Sequence, residues 1–276
     1  MASNVYARYA ATSTPLSTPP PKPTPHRPRP LFVSPFLIVI PSQDGQLVSG
    51  GMEELFFWDK TATGAVEPKS SVPCKGRGII KQIVPYPDVK GMYATCSDRL
   101  GASSKPSICV WTIGKNEPNL TIDNFPAKVF NICFGKLPND KLAIFSTHED
   151  GSILAWDASS GDRLCHSKPH KKKVPSIVYL PADPANNAGP RLLTGSHDHT
   201  VKIIDLSSKD MQVLKTFELG RPINTATYCC LNDGKEVLAI AGGIEARDVT
   251  TKNSNADEFH VFMYDMISGE KIGIEG

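Results

Sequence analysis

Residues 192–206 read Leu-Leu-Thr-Gly-Ser-His-Asp-His-Thr-Val-Lys-Ile-Ile-Asp-Leu, and the pattern in this stretch decides the fold class. Residues 192–196 are typical of a short strand, and residues 200–206 form a second one rich in β-branched side chains. The residues between them, His197-Asp198-His199, favour a tight turn, because an Asp side chain can bond its own backbone and tolerates unusual φ values. The stretch therefore predicts an antiparallel hairpin.

The same hairpin pattern occurs in four other parts of the chain. Each copy ends in an aromatic residue or isoleucine, which is followed by Asp in four copies and by Thr in one. These terminal pairs are Trp58-Asp59, Trp111-Thr112, Trp156-Asp157, Ile204-Asp205 and Tyr264-Asp265. Their spacing lies a little above the roughly 40–45 residues of one four-stranded propeller blade. The repeat therefore predicts a series of blades rather than one continuous sheet.

This repeat resembles that of WD40 β-propellers, which implies an all-β fold with about five recognisable blades of an expected seven. The resemblance also implies a hydrogen-bond network in each blade. It joins the Trp of the third strand, a Ser or Thr of the second strand, the turn Asp and a His before the first strand. The candidates for this network are Trp58, Asp59, Ser146, Asp150, Trp156, His170, Thr194 and Asp198. Because Ile204 replaces the Trp and no His precedes the blade of Ser146, we expect both of those networks to be incomplete.

Cysteine usage indicates a reducing compartment. The seven Cys are an odd number without any Cys-x-x-Cys pair, and most lie in predicted strands. This pattern is typical of reduced thiols that pack as small apolar side chains in a cytosolic or nuclear protein. The adjacent Cys229 and Cys230 could bind a soft metal, but alternate side chains of a strand point to opposite faces, which favours packing.

The N-terminal part differs from the rest in composition. Residues 1–36 are dense in Pro, Ser and Thr and predict a disordered tail, and residues 37–276 are assigned to the propeller. An SH3-binding segment and a transit peptide are alternative interpretations of this tail.

The charge balance of the rest of the chain bears on its ligands. Residues 1–40 hold four cations and no acid, so the remaining charges are 26 basic against 28 acidic. That balance argues against direct, sequence-specific nucleic-acid binding, and no stretch approaches the roughly 20 apolar residues of a membrane span.

Two segments of the fifth repeat narrow the resemblance. They are Arg221-Pro222-Ile223-Asn224-Thr225-Ala226 and, at residues 242–251, Gly-Gly-Ile-Glu-Ala-Arg-Asp-Val-Thr-Thr. Both are similar to segments of the family of eukaryotic translation initiation factor 3 subunit I, and the resemblance covers roughly residues 42–276. Since that family has seven blades, the sequence is interpreted as an incomplete gene product or a diverged version whose edges a partner covers.

The resemblance implies a non-catalytic scaffold subunit of the cytoplasmic initiation factor 3 complex, which supports 43S pre-initiation complex assembly and mRNA recruitment. The implied partners are subunits B and G of that factor and, through the complex, the small ribosomal subunit. The candidate partner-binding residues are Asp205, Glu245, Asp248, Thr250 and Thr251. Alternatively, residues 248–251 simply cap a loop through Asx and Thr bonds.

Other functions have less support in the sequence. A WD40 adaptor similar to serine/threonine kinase receptor-associated protein, acting in signalling or ribonucleoprotein assembly, is the main alternative. His197, Asp198, His199 and His170 suggest a metal site, but no ligand set with zinc-like spacing accompanies them. No phosphate-binding loop, Rossmann fingerprint or Gly-x-Ser-x-Gly motif occurs, so we expect neither an enzyme nor a cofactor. Lys171–Lys173 is interpreted as a solvated run, with contact to ribosomal RNA as the alternative.

Overall fold

The computed structural model describes residues 40–41, 47–61, 64–87, 89–183, 188–230, 236–243 and 260–275. All of them belong to one compact unit, Val33–Gly276. The predicted N-terminal tail lies outside the described residues, so the domain boundary at residue 36 stays a prediction. Every regular element in the described ranges is a β-strand, and none of these residues forms a helix that could cross a membrane.

The strands form five four-stranded antiparallel sheets, and each sheet uses four successive strands. Blade 1 holds β1 (Ile40–Pro41), β2 (Leu47–Gly50), β3 (Glu54–Lys60) and β4 (Val66–Pro73). Blade 2 holds β5 (Ile79–Pro85), β6 (Met92–Asp98), β7 (Ile108–Thr112) and β8 (Leu120–Ile122). Blade 3 holds β9 (Val129–Lys136), β10 (Leu142–His148), β11 (Ile153–Asp157) and β12 (Arg163–Ser167). Blade 4 holds β13 (Ser176–Leu180), β14 (Arg191–Gly195), β15 (Thr200–Asp205) and β16 (Val213–Glu218). Blade 5 holds β17 (Ile223–Cys230), β18 (Glu236–Gly242), β19 (Val261–Asp265) and β20 (Lys271–Glu275).

The WD40-type all-β fold with five recognisable blades is thereby confirmed. Each terminal pair of the sequence repeat stands at the end of a third strand, at β3, β7, β11, β15 and β19. The third strands of blades 2 and 3 are covered on both faces, since every residue of β11 and every residue of β7 except Thr112 is buried. This double coverage explains why these two strands read as almost continuous apolar runs. The third strand of blade 5 is more exposed, and of its residues only Phe262 is buried.

The core lies between the blades. Four clusters of buried apolar side chains occur among the described residues, and each joins two neighbouring blades. At the junction of blades 2 and 3, for example, Ile108 and Val110 pack with Ile132, Ile144 and Trp156. A single blade cannot cover its own apolar faces, so each depends on its neighbours for burial.

Two glycines allow neighbouring blades to approach each other closely. A Cβ on Gly135 in β9 would collide with the ring of Tyr179 in β13. A Cβ on Gly195 in β14 would lie 2.8 Å from Cγ2 of Ile223 in β17. Glycine is required at both positions by the close approach of a neighbouring blade, and not by an unusual φ.

Candidate functional site

Blade 4 brings together the three network candidates that the WD40 resemblance implies for it. His170 precedes β13, Thr194 lies in β14, and Asp198 lies in the turn between β14 and β15. Nε2 of His170 lies 2.9 Å from Oγ1 of Thr194, and its Nδ1 lies 3.0 Å from Oδ2 of Asp198. With Nδ1–H donating to the carboxylate, Nε2 accepts the hydroxyl proton of Thr194. The three side chains thus hold the segment before β13 against the β14–β15 hairpin.

The carboxylate of Asp198 accepts further hydrogen bonds. The Thr200 hydroxyl donates to Oδ1 at 2.6 Å, and the backbone N–H of Lys171 donates to Oδ2 at 2.9 Å. Burial by itself would raise the pKa of Asp198, but the hydrogen bonds from His170, Thr200 and Lys171 hold that pKa well below its usual value. Asp198 is therefore an anion at neutral pH, and its charge organises a turn.

Blade 3 contains a hydrogen-bonded chain that includes a residue the sequence analysis missed. Nε1–H of Trp156 donates to Oγ of Ser146 at 2.8 Å, and that Oγ lies 2.9 Å from Nε2 of His148. Nδ1 of His148 lies 2.9 Å from the carbonyl oxygen of Ala127. Burial lowers the pKa of His148. The neutral ring therefore donates from Nδ1 to Ala127 and accepts the Ser146 proton at Nε2.

His148 therefore takes the place of the His expected before the first strand. It follows Ser146 by two residues in β10, and residues two apart in a strand point to the same face. That alternation is the sequence signal that could have identified it. Asp150 lies outside this chain of bonds, because its Oδ1 accepts from the backbone N–H of Ser152 at 3.1 Å and from the Ser152 hydroxyl at 2.6 Å.

The remaining blades keep only parts of the network. In blade 1, Nε1–H of Trp58 donates to Ser49 at 2.8 Å, whereas Asp59 pairs with Nζ of Lys69 at 2.8 Å. In blade 2, the indole of Trp111 donates to Thr95 at 2.9 Å. In blade 4, a fully buried Ile204 occupies the position of the Trp. The Trp-to-hydroxyl bond is thus the part of the network that blades 1 to 3 share.

In blades 3, 4 and 5, the Asp that ends the third strand caps the following turn. In blade 4, Oδ1 of Asp205 accepts from the backbone N–H of Ser207 at 3.0 Å and from its hydroxyl at 2.8 Å. Among the described residues, no hydrogen bond is made by Oδ2 of Asp205, which leaves that oxygen available to a cation. The other predicted partner-binding residues, Glu245, Asp248, Thr250 and Thr251, lie outside the described residues.

The thiols of the core are shielded from reaction. Burial raises the pKa of Cys74 and of Cys96 to about 12, whereas Cys229 is exposed. Thiols with such a pKa are almost entirely protonated at neutral pH and are poor nucleophiles. In the described ranges, no three His, Cys, Asp or Glu side chains lie close enough together to hold a metal ion.

Comparison with known proteins points to one group of relatives, although no family model matches the chain. The chain is 29% identical over 234 residues to eukaryotic translation initiation factor 3 subunit I of Nematostella vectensis, and the match covers 83% of this chain and 65% of the relative. It is 30% identical over 161 residues to the Rattus norvegicus protein of the same name, covering 58% and 45% of the two chains. The corresponding Drosophila willistoni protein is 26% identical over 232 residues, covering 82% and 66%.

These matches span 45–66% of the length of the three relatives. They agree with the resemblance that residues 221–226 and 242–251 indicate. The five four-stranded blades also agree with the WD40 repeat seen in the sequence. The chain is a WD40-repeat protein similar to eukaryotic translation initiation factor 3 subunit I.

Proposed function

We propose that this protein is a non-catalytic scaffold subunit of the initiation factor 3 complex, supporting 43S pre-initiation complex assembly and mRNA recruitment. The observation that carries the proposal is the match to initiation factor 3 subunit I over 83% of this chain. The proposed partners are subunits B and G of the factor and, through the complex, the small ribosomal subunit in the cytoplasm.

The uses of the polar side chains support a scaffold rather than a catalyst. The buried His residues of blades 3 and 4 are tied to hydroxyl, carbonyl and carboxylate groups that hold strands and turns together. A catalytic base must instead be within reach of a substrate proton. The blades therefore provide a rigid support on which turns and loops can meet partner proteins.

Asp205 is the described residue that we assign to a partner contact. It stands at the end of β15, where Oδ1 is used by Ser207 and Oδ2 makes no hydrogen bond within the described ranges. A partly exposed carboxylate of this kind suits an Arg or Lys of a docked helix. Glu245, Asp248, Thr250 and Thr251 are assigned to partner binding by resemblance alone.

Affinity purification of the tagged chain from its own cells, followed by mass spectrometry, tests the proposal. We expect the other subunits of initiation factor 3 and small-subunit ribosomal proteins to be recovered. Kinase or ribonucleoprotein-assembly partners in their place would contradict it and favour the adaptor function.

A matched pair of variants tests the role of Asp205. Asp205→Asn keeps an oxygen for Ser207 but removes the charge, so we expect it to reduce recovery of the other initiation factor 3 subunits. Asp123→Asn changes an exposed carboxylate that precedes β9 and should leave recovery unchanged. Equal recovery with both variants would exclude Asp205 from the contact.

A further inference from the structure

A groove of about 470 Å³ lies between blades 3 and 4. One wall is formed by residues 137–139 and 141 of the turn between β9 and β10, together with the first residues of β12. The other wall is the segment after β15, at residues 206–209. The groove lies beside Asp205, which ends β15, whereas the turn of Asp198 comes just before β15 begins. The groove and that turn are therefore at opposite ends of the blades.

The floor of the groove is apolar. Leu206 is buried, and the side chains of Leu137 and Leu164 are half-buried beside it. These three side chains contribute to the core cluster between blades 3 and 4. Because their exposed parts face the groove, an apolar side chain seated there would remove more of their surface from water.

Cations surround this floor. Lys141, Arg163 and Lys209 line the groove, and no carboxylate is among the described residues that line it. Lys141 is paired with Asp157 at 2.7 Å. Arg163 and Lys209 are exposed and form no ion pair with an acid in the part of the chain that the structure describes. The two of them therefore offer positive charge to a ligand beside an apolar surface.

We infer that this groove binds a short acidic peptide segment of another polypeptide, with an apolar side chain on the leucine floor and carboxylates at Arg163 and Lys209. An Arg guanidinium is suited to this role, because its planar donors match a carboxylate with two hydrogen bonds. The N-terminal residues of this chain do not match the groove, since residues 1–40 contain four cations and no acid. The inference rests on the groove itself and does not depend on the proposed role in initiation.

Fluorescence anisotropy with the full chain and a labelled probe peptide, Glu-Asp-Leu-Phe-Asp-Glu, tests the inference. Two control peptides separate the contributions: Gln-Asn-Leu-Phe-Asn-Gln lacks the charge, and Glu-Asp-Gly-Ser-Asp-Glu lacks the apolar pair. We expect the probe to bind at least tenfold more tightly than either control, and its affinity to fall as salt is added. Binding of all three peptides with the same affinity, or of none, would overturn the inference.

Charge reversal locates the binding. The double variant Arg163→Glu/Lys209→Glu should bind the probe at least tenfold more weakly than the wild type. Lys75→Glu/Lys105→Glu makes the same change of charge at exposed positions that do not line the groove, and should bind normally. An equal loss in both variants, or no loss in either, would show that the probe does not occupy the groove.

A peptide of reversed charge keeps the test informative if the groove variant is less stable. Lys-Arg-Leu-Phe-Arg-Lys should bind the Arg163→Glu/Lys209→Glu protein more tightly than the wild type, which a partly unfolded protein would not do selectively. Absence of that reversal in a variant with a wild-type melting curve would count against the inference.

Discussion

At the scale of single residues, the same physical task is performed by different side chains in different blades. Blade 3 joins Trp156, Ser146 and His148 by hydrogen bonds, whereas blade 4 joins Thr194, His170 and Asp198 around a buried Ile204. In both blades a buried hydroxyl of the second strand is paired with a histidine. The requirement met in each case is that no buried polar group is left without a partner.

Ser146→Ala is expected to lower the free energy of unfolding by about 1–3 kcal/mol, because it leaves the indole N–H of Trp156 and Nε2 of His148 buried without partners. Ser49→Ala is the matched control. It removes the acceptor of Trp58, which is only half-buried and can bond to water, so the loss should be smaller. Urea unfolding of both variants measures the difference, and equal losses would contradict the importance of the buried chain.

The lowered pKa of Asp198 implies that the free energy of unfolding depends on pH. Its folded-state pKa lies below the ordinary 3.8, so the carboxylate stabilises the fold fully above that value. This contribution should be lost as the pH falls below about 3.8 and approaches the folded-state pKa. We therefore expect the stability gap between the wild type and Asp198→Asn to be constant near neutral pH and to shrink in acid. Urea unfolding across this range measures it, and a gap that stays constant in acid would contradict the assignment.

At the scale of strands and turns, the sequence predicted what is local and missed what is long-range. The terminal pairs identified all five third strands, because in each blade the aromatic residue or isoleucine of the pair lies near the end of the third strand, within one local hairpin. His148 was missed because a His was sought before the first strand. The contact of Gly135 with Tyr179 joins β9 to β13, and no local pattern indicates which side chain of the next blade approaches a glycine.

Gly135→Ala tests this approach of neighbouring strands. The added methyl group would collide with the ring of Tyr179, whose hydroxyl donates to the carbonyl oxygen of Lys136 at 3.0 Å. The ring cannot easily move away, because one end is attached to β13 and the other is hydrogen-bonded through its hydroxyl. We therefore expect a loss of about 1–3 kcal/mol in the free energy of unfolding. Gly273→Ala in β20, where a Cβ meets no atom within 4 Å, should be close to neutral. Thermal or urea unfolding compares the two, and a neutral Gly135→Ala would contradict the packing.

At the scale of the whole molecule, the blades are held together by clusters that no blade contains alone. The groove between blades 3 and 4 also arises at this scale, since its lining comes from three separate segments of the chain. Neither feature could be predicted from the repeat, which describes one blade at a time. Five of the seven cysteines, interpreted from sequence only as small apolar side chains, belong to or pack against three of the four clusters: Cys74, Cys96, Cys109, Cys133 and Cys165.

Three of those cysteines can report when the packing between neighbouring blades opens, one at each of three junctions. Cys74 lies in the cluster of blades 1 and 2, Cys96 in that of blades 2 and 3, and Cys165 in that of blades 3 and 4. Pulse alkylation at increasing urea, read by mass spectrometry, should label the exposed Cys229 at once and the three buried thiols only when their junctions open. Because blade 2 contributes to both of their clusters, Cys74 and Cys96 should become reactive together. Rapid labelling of Cys96 without urea would show that blades 2 and 3 are not packed as described.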